Sequence, residues 1–224
     1  IIRGQTIGNP TVKALKENPD IVDRHLAKAW WNKSMTQLEV YFPKTNFGKE
    51  GINYLMSVVM GGQCDIDNIK GCRLIGLEMS ALRQKFQWPR YGMQGIRNLI
   101  GVENRPLLGG IIKPKIGLSP KALAEVCLEM ATNGVDFIKE DEILADQEWC
   151  PMRERIPLVA KALRGLKTLY TPCITADGKN IVRKARMAKD LGAGAAHLNI
   201  WCGFGAYREV RSKVNLPLFF QKSG

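Results

Sequence analysis

The sequence predicts an α/β protein in two parts: a small α+β region over residues 1–103, then parallel βα units over residues 104–224. Three observations carry this. Short apolar runs recur after residue 103, each ending in polar residues. Amphipathic stretches of helical spacing separate the runs. Before residue 103 the pattern is mixed and lacks that rhythm. Strand, helix and strand in regular succession implies parallel pairing, because parallel neighbours need a long crossover between them.

In the first part, residues 36–42 (TQLEVYF) alternate polar and apolar, the pattern of a half-exposed antiparallel strand. Residues 51–60 read as a helix and residues 72–79 (CRLIGLEM) as another strand. The stretch FQWPRYGMQ, residues 86–94, contains Pro89 and Gly92 and reads as a connector. In the second part the strand candidates are residues 107–112, 134–138, 168–174, 193–200 and 216–220. Their near-continuous apolar character fits a sheet covered on both faces. Residues 120–132, 152–166 and 178–191 carry helical spacing. Ser119 can cap the first of these, with Pro120 at its first helical position. Its end is signed by Asn133-Gly134, where glycine accepts a left-handed turn. These are five strands, whereas a closed (β/α)₈ barrel needs eight. Five strands of an opened barrel would leave a long edge bare. The alternatives are a smaller open sheet or part of a longer chain. A first residue of Ile1 and a stop at Gly224, just past a strand, favour the second.

Lys and Arg number 33 against 21 Asp and Glu, a net charge of +12. The basic residues are scattered, with no dense basic run and no aromatics at a stacking rhythm, which argues against nucleic acid. A phosphorylated small-molecule substrate accounts for part of the charge, and a solvated surface for the rest. No apolar run approaches the roughly 18–20 residues that span a membrane, and no signal peptide is visible. Cysteines stand at 64, 72, 127, 150, 173 and 202, without a CxxC pair. Several lie in apolar runs, which reads as free thiols in a reducing, cytoplasmic setting. His25 and His197 are too few for a histidine-rich metal cluster.

Two segments carry chemistry. GGIIKPKIGLSP, residues 109–120, puts Lys113 and Lys115 two apart at a strand end, and period-two geometry puts both on one face. They serve either as catalytic amines at the barrel mouth or as two surface lysines. GVDFIKEDEI, residues 134–143, puts Lys139, Asp141 and Glu142 directly after an apolar run. Two carboxylates there supply hard oxygen ligands suited to Mg²⁺. An uncharged lysine amine can take up CO₂, and the carbamate would add a third anionic oxygen. A Lys–carboxylate ion-pair cluster that only closes the strand is the other reading. Lys113 and Lys139 are 26 positions apart, one βαβ step. Adjacent parallel strands would bring them within about 5 Å laterally.

IIKPKIGLSP followed by GVDFIKEDE resembles the RuBisCO large-chain superfamily, which carries a KPK strand and a DFxKxDE strand. The segment FQWPRYGMQGIRNLIGVENRPLLG resembles that family's link between domains. The resemblance covers nearly the whole chain from Gly4 onward. It implies a ferredoxin-like α+β N-terminal domain and a (β/α)₈ TIM-type barrel, with only about the first five βα units present here. It also implies a carbamylated Lys139 that binds Mg²⁺ with Asp141 and Glu142, proton transfer by Lys113, and Lys115 near metal and substrate. Active sites would be shared between the subunits of a homodimer.

The departures from that pattern are as informative. Where the family has glutamate, threonine and tryptophan in a motif like ESSTGTW, GQTIGNP supplies Gly4, Asn9 and Pro10. Gly62 stands where the family has an asparagine near the CO₂ site, and where the methionine-salvage enolase has a lysine. Gln221 and Lys222 replace a His-Arg pair that contacts substrate and phosphate. Lys222 can still meet phosphate as a point charge, without the bidentate fork. The sequence therefore reads as a RuBisCO-like protein, an Mg²⁺-dependent lyase or isomerase that enolises, decarboxylates or carboxylates a sugar phosphate, rather than a true CO₂ fixer. The alternatives are a genuine ribulose-bisphosphate carboxylase, a catalytically incomplete relic that keeps the ligands, or a basic binding module.

Overall fold

The structure is a computed structural model, and it describes residues 1–8, 11–62 and 70–222. Asn9, Pro10 and Cys64 lie outside the described residues. The chain forms two compact units, Ile1–Gln87 and Trp88–Gly224.

The first unit begins with two short helices, α1 (Lys13–Glu17) and α2 (Asp20–His25). An antiparallel hairpin follows, β1 (Lys28–Trp31) with β2 (Leu38–Tyr41), in the register Trp31↔Leu38 and Lys28↔Tyr41. The alternation read in residues 36–42 is realised. Leu38 and Val40 are half-buried while Glu39 and Tyr41 are exposed. The side chain of Asn32 organises the hairpin loop, accepting from the N–H groups of Thr36 and Gln37 at 2.9 and 3.1 Å. Helix α3 (Ile52–Met60) then places Leu55 in a small core with Phe47 and Leu82. The expected strand at 72–79 is not formed. That segment carries no ladder, and Leu74, Ile75 and Leu77 are exposed. Apolar content makes a segment strand-compatible, but only a paired neighbour makes it a strand.

The second unit starts before residue 104. Helix α4 (Gly92–Ile100) lies inside the expected connector and belongs to this unit. Arg97 explains why: its guanidinium donates to the carbonyls of Val102, Glu103 and Arg105 at 3.2, 3.0 and 2.9 Å, tying α4 to the segment that enters the sheet. Arg90 adds a 2.9 Å bond to the Arg211 carbonyl. The division therefore falls at residues 87/88 instead of 103/104.

Five parallel strands follow, one for each apolar run: β3 (Gly109–Ile111), β4 (Phe137–Lys139), β5 (Leu169–Thr171), β6 (Ala196–Asn199) and β7 (Leu218–Gln221). β3–β4–β5 form one ladder and β6–β7 another. A parallel bridge between Cys173 and His197 joins them, so the strands run in chain order. Gly109 is required where β3 meets β4, because a Cβ there would stand 2.2 Å from the Phe137 ring. Each crossover carries a helix: α5 (Pro120–Thr132), α6 (Met152–Ala162), α7 (Asn180–Asp190) and α8 (Phe204–Lys213). Ser119 caps α5, its Oγ accepting from the Ala122 N–H at 3.3 Å, and Gly134 takes φ +90° past the end. Leu123, Ala124, Cys127 and Ala131 form the buried face of α5, and they join Ile138, Ile156, Val159, Ile174, Leu198 and Val210 in one core. Cys127, Cys150 and Cys173 are buried free thiols. No helix among the described residues is long and apolar enough to cross a membrane.

Candidate active site at the carboxyl ends of β3 and β4

Both candidate segments leave the sheet side by side. The register pairs Ile111 with Lys139, and the Ile112 N–H continues the ladder to the Lys139 carbonyl at 3.1 Å. β3 ends at Ile111, so Lys113 and Lys115 lie on the loop beyond it and the strand alternation does not orient them. Lys113 reaches the site by its length. Half of its side chain is exposed, yet its Nζ sits 2.8 Å from Asp141 Oδ2. Lys115 is exposed and has no contact with either carboxylate, but its charge reaches Asp141.

Past β4 the chain still alternates. Lys139 and Asp141 are buried toward one side, and Glu140 goes to the other. Lys139 Nζ lies 3.4 Å from Glu142 Oε2, donates to the Glu140 carbonyl at 2.9 Å, and stands 6.0 Å over the Phe219 ring. Burial alone would raise the Asp141 carboxyl. The hydrogen bond from Lys113, with smaller pulls from the Ile143 N–H and Lys115, outweighs it and holds Asp141 below its ordinary value. Glu142 is also lowered, first by its own backbone N–H, against burial and the neighbouring Asp141 charge, with Lys139 helping. Both carboxylates are thus ionised at neutral pH, each facing a lysine.

Glu140 shows what holds this layer in place. The Arg155 guanidinium binds it at 2.7 and 2.9 Å, the Cys173 N–H donates to it at 2.7 Å, and the Tyr170 hydroxyl donates as well. Arg155 also donates to the carbonyls of Cys150 and Ala145, which pins the loop that carries Glu142. Burial works against the Arg155 charge, but Glu140 keeps it protonated. At the base of the strand, Arg105 grips Asp136 with two bonds of 2.6 and 2.7 Å, and Asp136 accepts the Leu108 N–H at 2.7 Å. Neither anchor was evident from the motif. The partners lie 15 to 33 residues from Glu140, beyond the reach of a local pattern.

The donor chemistry fits a hard divalent cation. Asp141, buried, and Glu142, half-buried, offer oxygen ligands only. Among the described residues, no three His, Cys, Asp or Glu side chains converge as a metal site. Gln221 closes β7, while Gly62 lies in the first unit.

The description "Ribulose bisphosphate carboxylase large chain, catalytic domain" matches residues 92–220. The 3-oxo-isoapionate-4-phosphate decarboxylase of Rhizobium etli is 32% identical over 196 residues, 84% of this chain and 47% of the relative. The 3-oxo-isoapionate-4-phosphate transcarboxylase/hydrolase of Xanthobacter autotrophicus is 32% identical over 195 residues, 84% of this chain and 47% of the relative. The ribulose bisphosphate carboxylase-like protein of Archaeoglobus fulgidus is 31% identical over 227 residues, 90% of this chain and 51% of the relative. Among solved structures, a rubisco-like protein from Burkholderia fungorum superposes with a TM-score of 0.83 at 26% identity, over 98% of this chain and 59% of that one. The octameric ribulose-1,5-bisphosphate carboxylase/oxygenase of Pyrococcus horikoshii gives 0.86 at 26%, over 98% of this chain and 55% of that one. The chain spans about half the length of the curated relatives it matches.

Proposed function

The chain belongs to the family of ribulose bisphosphate carboxylase large chains, and on that premise we propose that it carries half of an Mg²⁺-dependent active site for enolate chemistry on a sugar-acid phosphate. β3 to β7 are then the first five strands of a (β/α)₈ barrel, and the first unit is a ferredoxin-like domain. The active enzyme is a homodimer with sites shared between subunits. The observation that carries the reading is the pair of contacts Lys113–Asp141 and Lys139–Glu142 at neighbouring strand ends.

Decarboxylation is the reaction class favoured among those the family supports. Relatives named for decarboxylation and transcarboxylation of 3-oxo-isoapionate-4-phosphate are about as similar as any described above. The polar side chains expected to handle CO₂ are replaced here, by Gly62 in one case. Loss of CO₂ from a 3-oxo acid breaks a carbon–carbon bond and leaves its electron pair as an enolate. Mg²⁺, held by carbamylated Lys139, Asp141 and Glu142, would act as a Lewis acid toward that developing charge. Lys113 lies across from the same carboxylates and is the proton donor to the enolate carbon, its ammonium released from Asp141 as the pair opens. Lys115 adds a positive field that favours an anionic substrate. Lys222, just past β7, meets a phosphate by charge alone.

The site in its present state is self-neutralised, with two ammonium groups on two carboxylates. Converting Lys139 to a carbamate reverses its sign, repels Glu142 and favours cation entry. The test is turnover of a 3-oxo sugar-acid phosphate by the full-length protein, with and without Mg²⁺ and CO₂. Lys139→Ala should abolish metal-dependent turnover, by about a hundredfold or more, while thermal melting stays cooperative. Unchanged turnover in that variant would remove the site assignment.

A further inference from the structure

His197 sits in the middle of the sheet, on β6, opposite Phe219 of β7 and bridged to Cys173 beyond β5. It is fully buried, and neither ring nitrogen has a hydrogen-bond partner among the described residues. Buried polar atoms are almost always satisfied. The His197 ring therefore has hydrogen-bonding capacity that no described residue uses.

Its surroundings bring it near Lys139. The His197 ring meets Phe219 edge-on at 5.9 Å between centroids. The same Phe219 ring lies 6.0 Å beneath Lys139 Nζ. Imidazole and lysine amine therefore flank one aromatic ring. Burial foremost, then the Lys139 charge, holds the His197 pKa down to about 4, against the opposing pull of Glu142 and Asp141. The ring is neutral at physiological pH, with one N–H to give and one lone pair to receive.

We infer that His197 is a positioning residue for Lys139, donating a hydrogen bond to an oxygen carried on the end of that side chain when the site is loaded. The inference rests on the carbamate reading above. In that step the uncharged Lys139 nitrogen bonds to the carbon of CO₂ and a proton leaves to solvent, so the side chain gains two oxygens. Asp141 and Glu142 mark the side on which the cation must lie. A hydrogen bond from His197 would restrain the end of the Lys139 side chain, while Asp141 and Glu142 would hold the cation. Outer partners of this kind orient metal ligands, and their loss commonly costs ten- to a hundredfold in metal affinity.

The test uses the full-length protein, ¹³C-bicarbonate and Mn²⁺. Wild type should show a carbamate ¹³C resonance and take up Mn²⁺ only when bicarbonate is present. His197→Leu should weaken Mn²⁺ uptake about tenfold or more and diminish the carbamate resonance, while His197→Gln, which keeps a donor, restores much of both. A folded His197→Leu protein with wild-type Mn²⁺ affinity and carbamate signal makes His197 a core residue only and overturns the inference. A second measurement needs no variant: the His197 ring N–H resonance of wild type should shift when bicarbonate and Mg²⁺ are added. An unmoved resonance contradicts the inference. Wild type that binds no Mn²⁺ under either condition overturns the carbamate reading itself, which separates the two failures.

Discussion

Two ion-pair clusters share the end of one strand, and they are built in opposite ways. Glu140 and Arg155 are both fully buried, and every strong contact of the pair is made within the protein. One residue further on, Asp141 is buried but its partner Lys113 is half exposed, and Glu142 retains a quarter of its side-chain exposure beside Lys139. The backbone alternation sends Lys139 and Asp141 to one side and Glu140 to the other, and the turn that begins at Glu142 brings that carboxylate back to Lys139. The inner cluster is closed and holds the loop. The outer one is partly open to solvent at Lys113 and Glu142, and under the proposed function its carboxylates are those a cation would claim. A scaffold that must keep ligands still while exchanging what they bind needs both.

The contrast breaks if the two clusters respond alike to mutation. Arg155→Met leaves Glu140 charged, buried and unpaired, and should cost about 3–5 kcal/mol in urea unfolding. A loss below about 1 kcal/mol would show that Glu140 escapes its burial. Acidification tests the interior beside the outer cluster. The folded-state pKa of His197, about 4, lies below the ordinary histidine value. The unfolded chain therefore takes up a proton first as pH falls through about 6.5. The stability tied to the neutral ring is complete above that pH and lost between about 6.5 and 4. At roughly 1.4 kcal/mol per pH unit the loss amounts to a few kcal/mol, and His197→Leu should flatten this limb. The smallest effect belongs to Lys113→Met, which should change stability by less than about 1 kcal/mol, because that ammonium is half in water. The same substitution should move the Asp141 titration upward, since the Lys113 hydrogen bond is the main influence opposing burial there. Carboxyl ¹³C NMR would read that shift, and an unmoved Asp141 would mean that the pair is not formed.

Much of this architecture could be read locally. Helix α5 carries both of its boundary signals in sequence, Ser119-Pro120 and Asn133-Gly134, and its ends coincide with them. The five apolar runs each became a strand; β4, β5 and β6 are buried over most of their length, as a dense apolar signature implies, whereas β3 and β7 keep exposed residues such as Ile111 and Phe220. Helix α6 stops at Ala162, short of the expected 166, because the chain turns through Leu163 to Leu166 with Gly165 at φ +86°. Residues 72–79 misled because strand pairing is a property of a neighbour, which no local pattern supplies. Helix α8 was not anticipated, its apolar positions being spread among Arg, Glu and Lys. At the site, the charged residues after an apolar run were legible as chemistry. Their partners were not, since Arg155 and Tyr170 reach Glu140 from 15 and 30 residues away. His197 was discounted because two histidines do not make a cluster, whereas its meaning lies in burial without a partner.

The most direct measurement is an anomalous-scattering map of crystals of the full-length protein equilibrated with Mn²⁺ and bicarbonate. The account predicts a single strong peak bounded by Asp141, Glu142 and an elongated Lys139 side chain, with the Lys113 ammonium withdrawn from Asp141. Density showing Lys113 and Lys139 still seated on their carboxylates, with the manganese elsewhere, would contradict it.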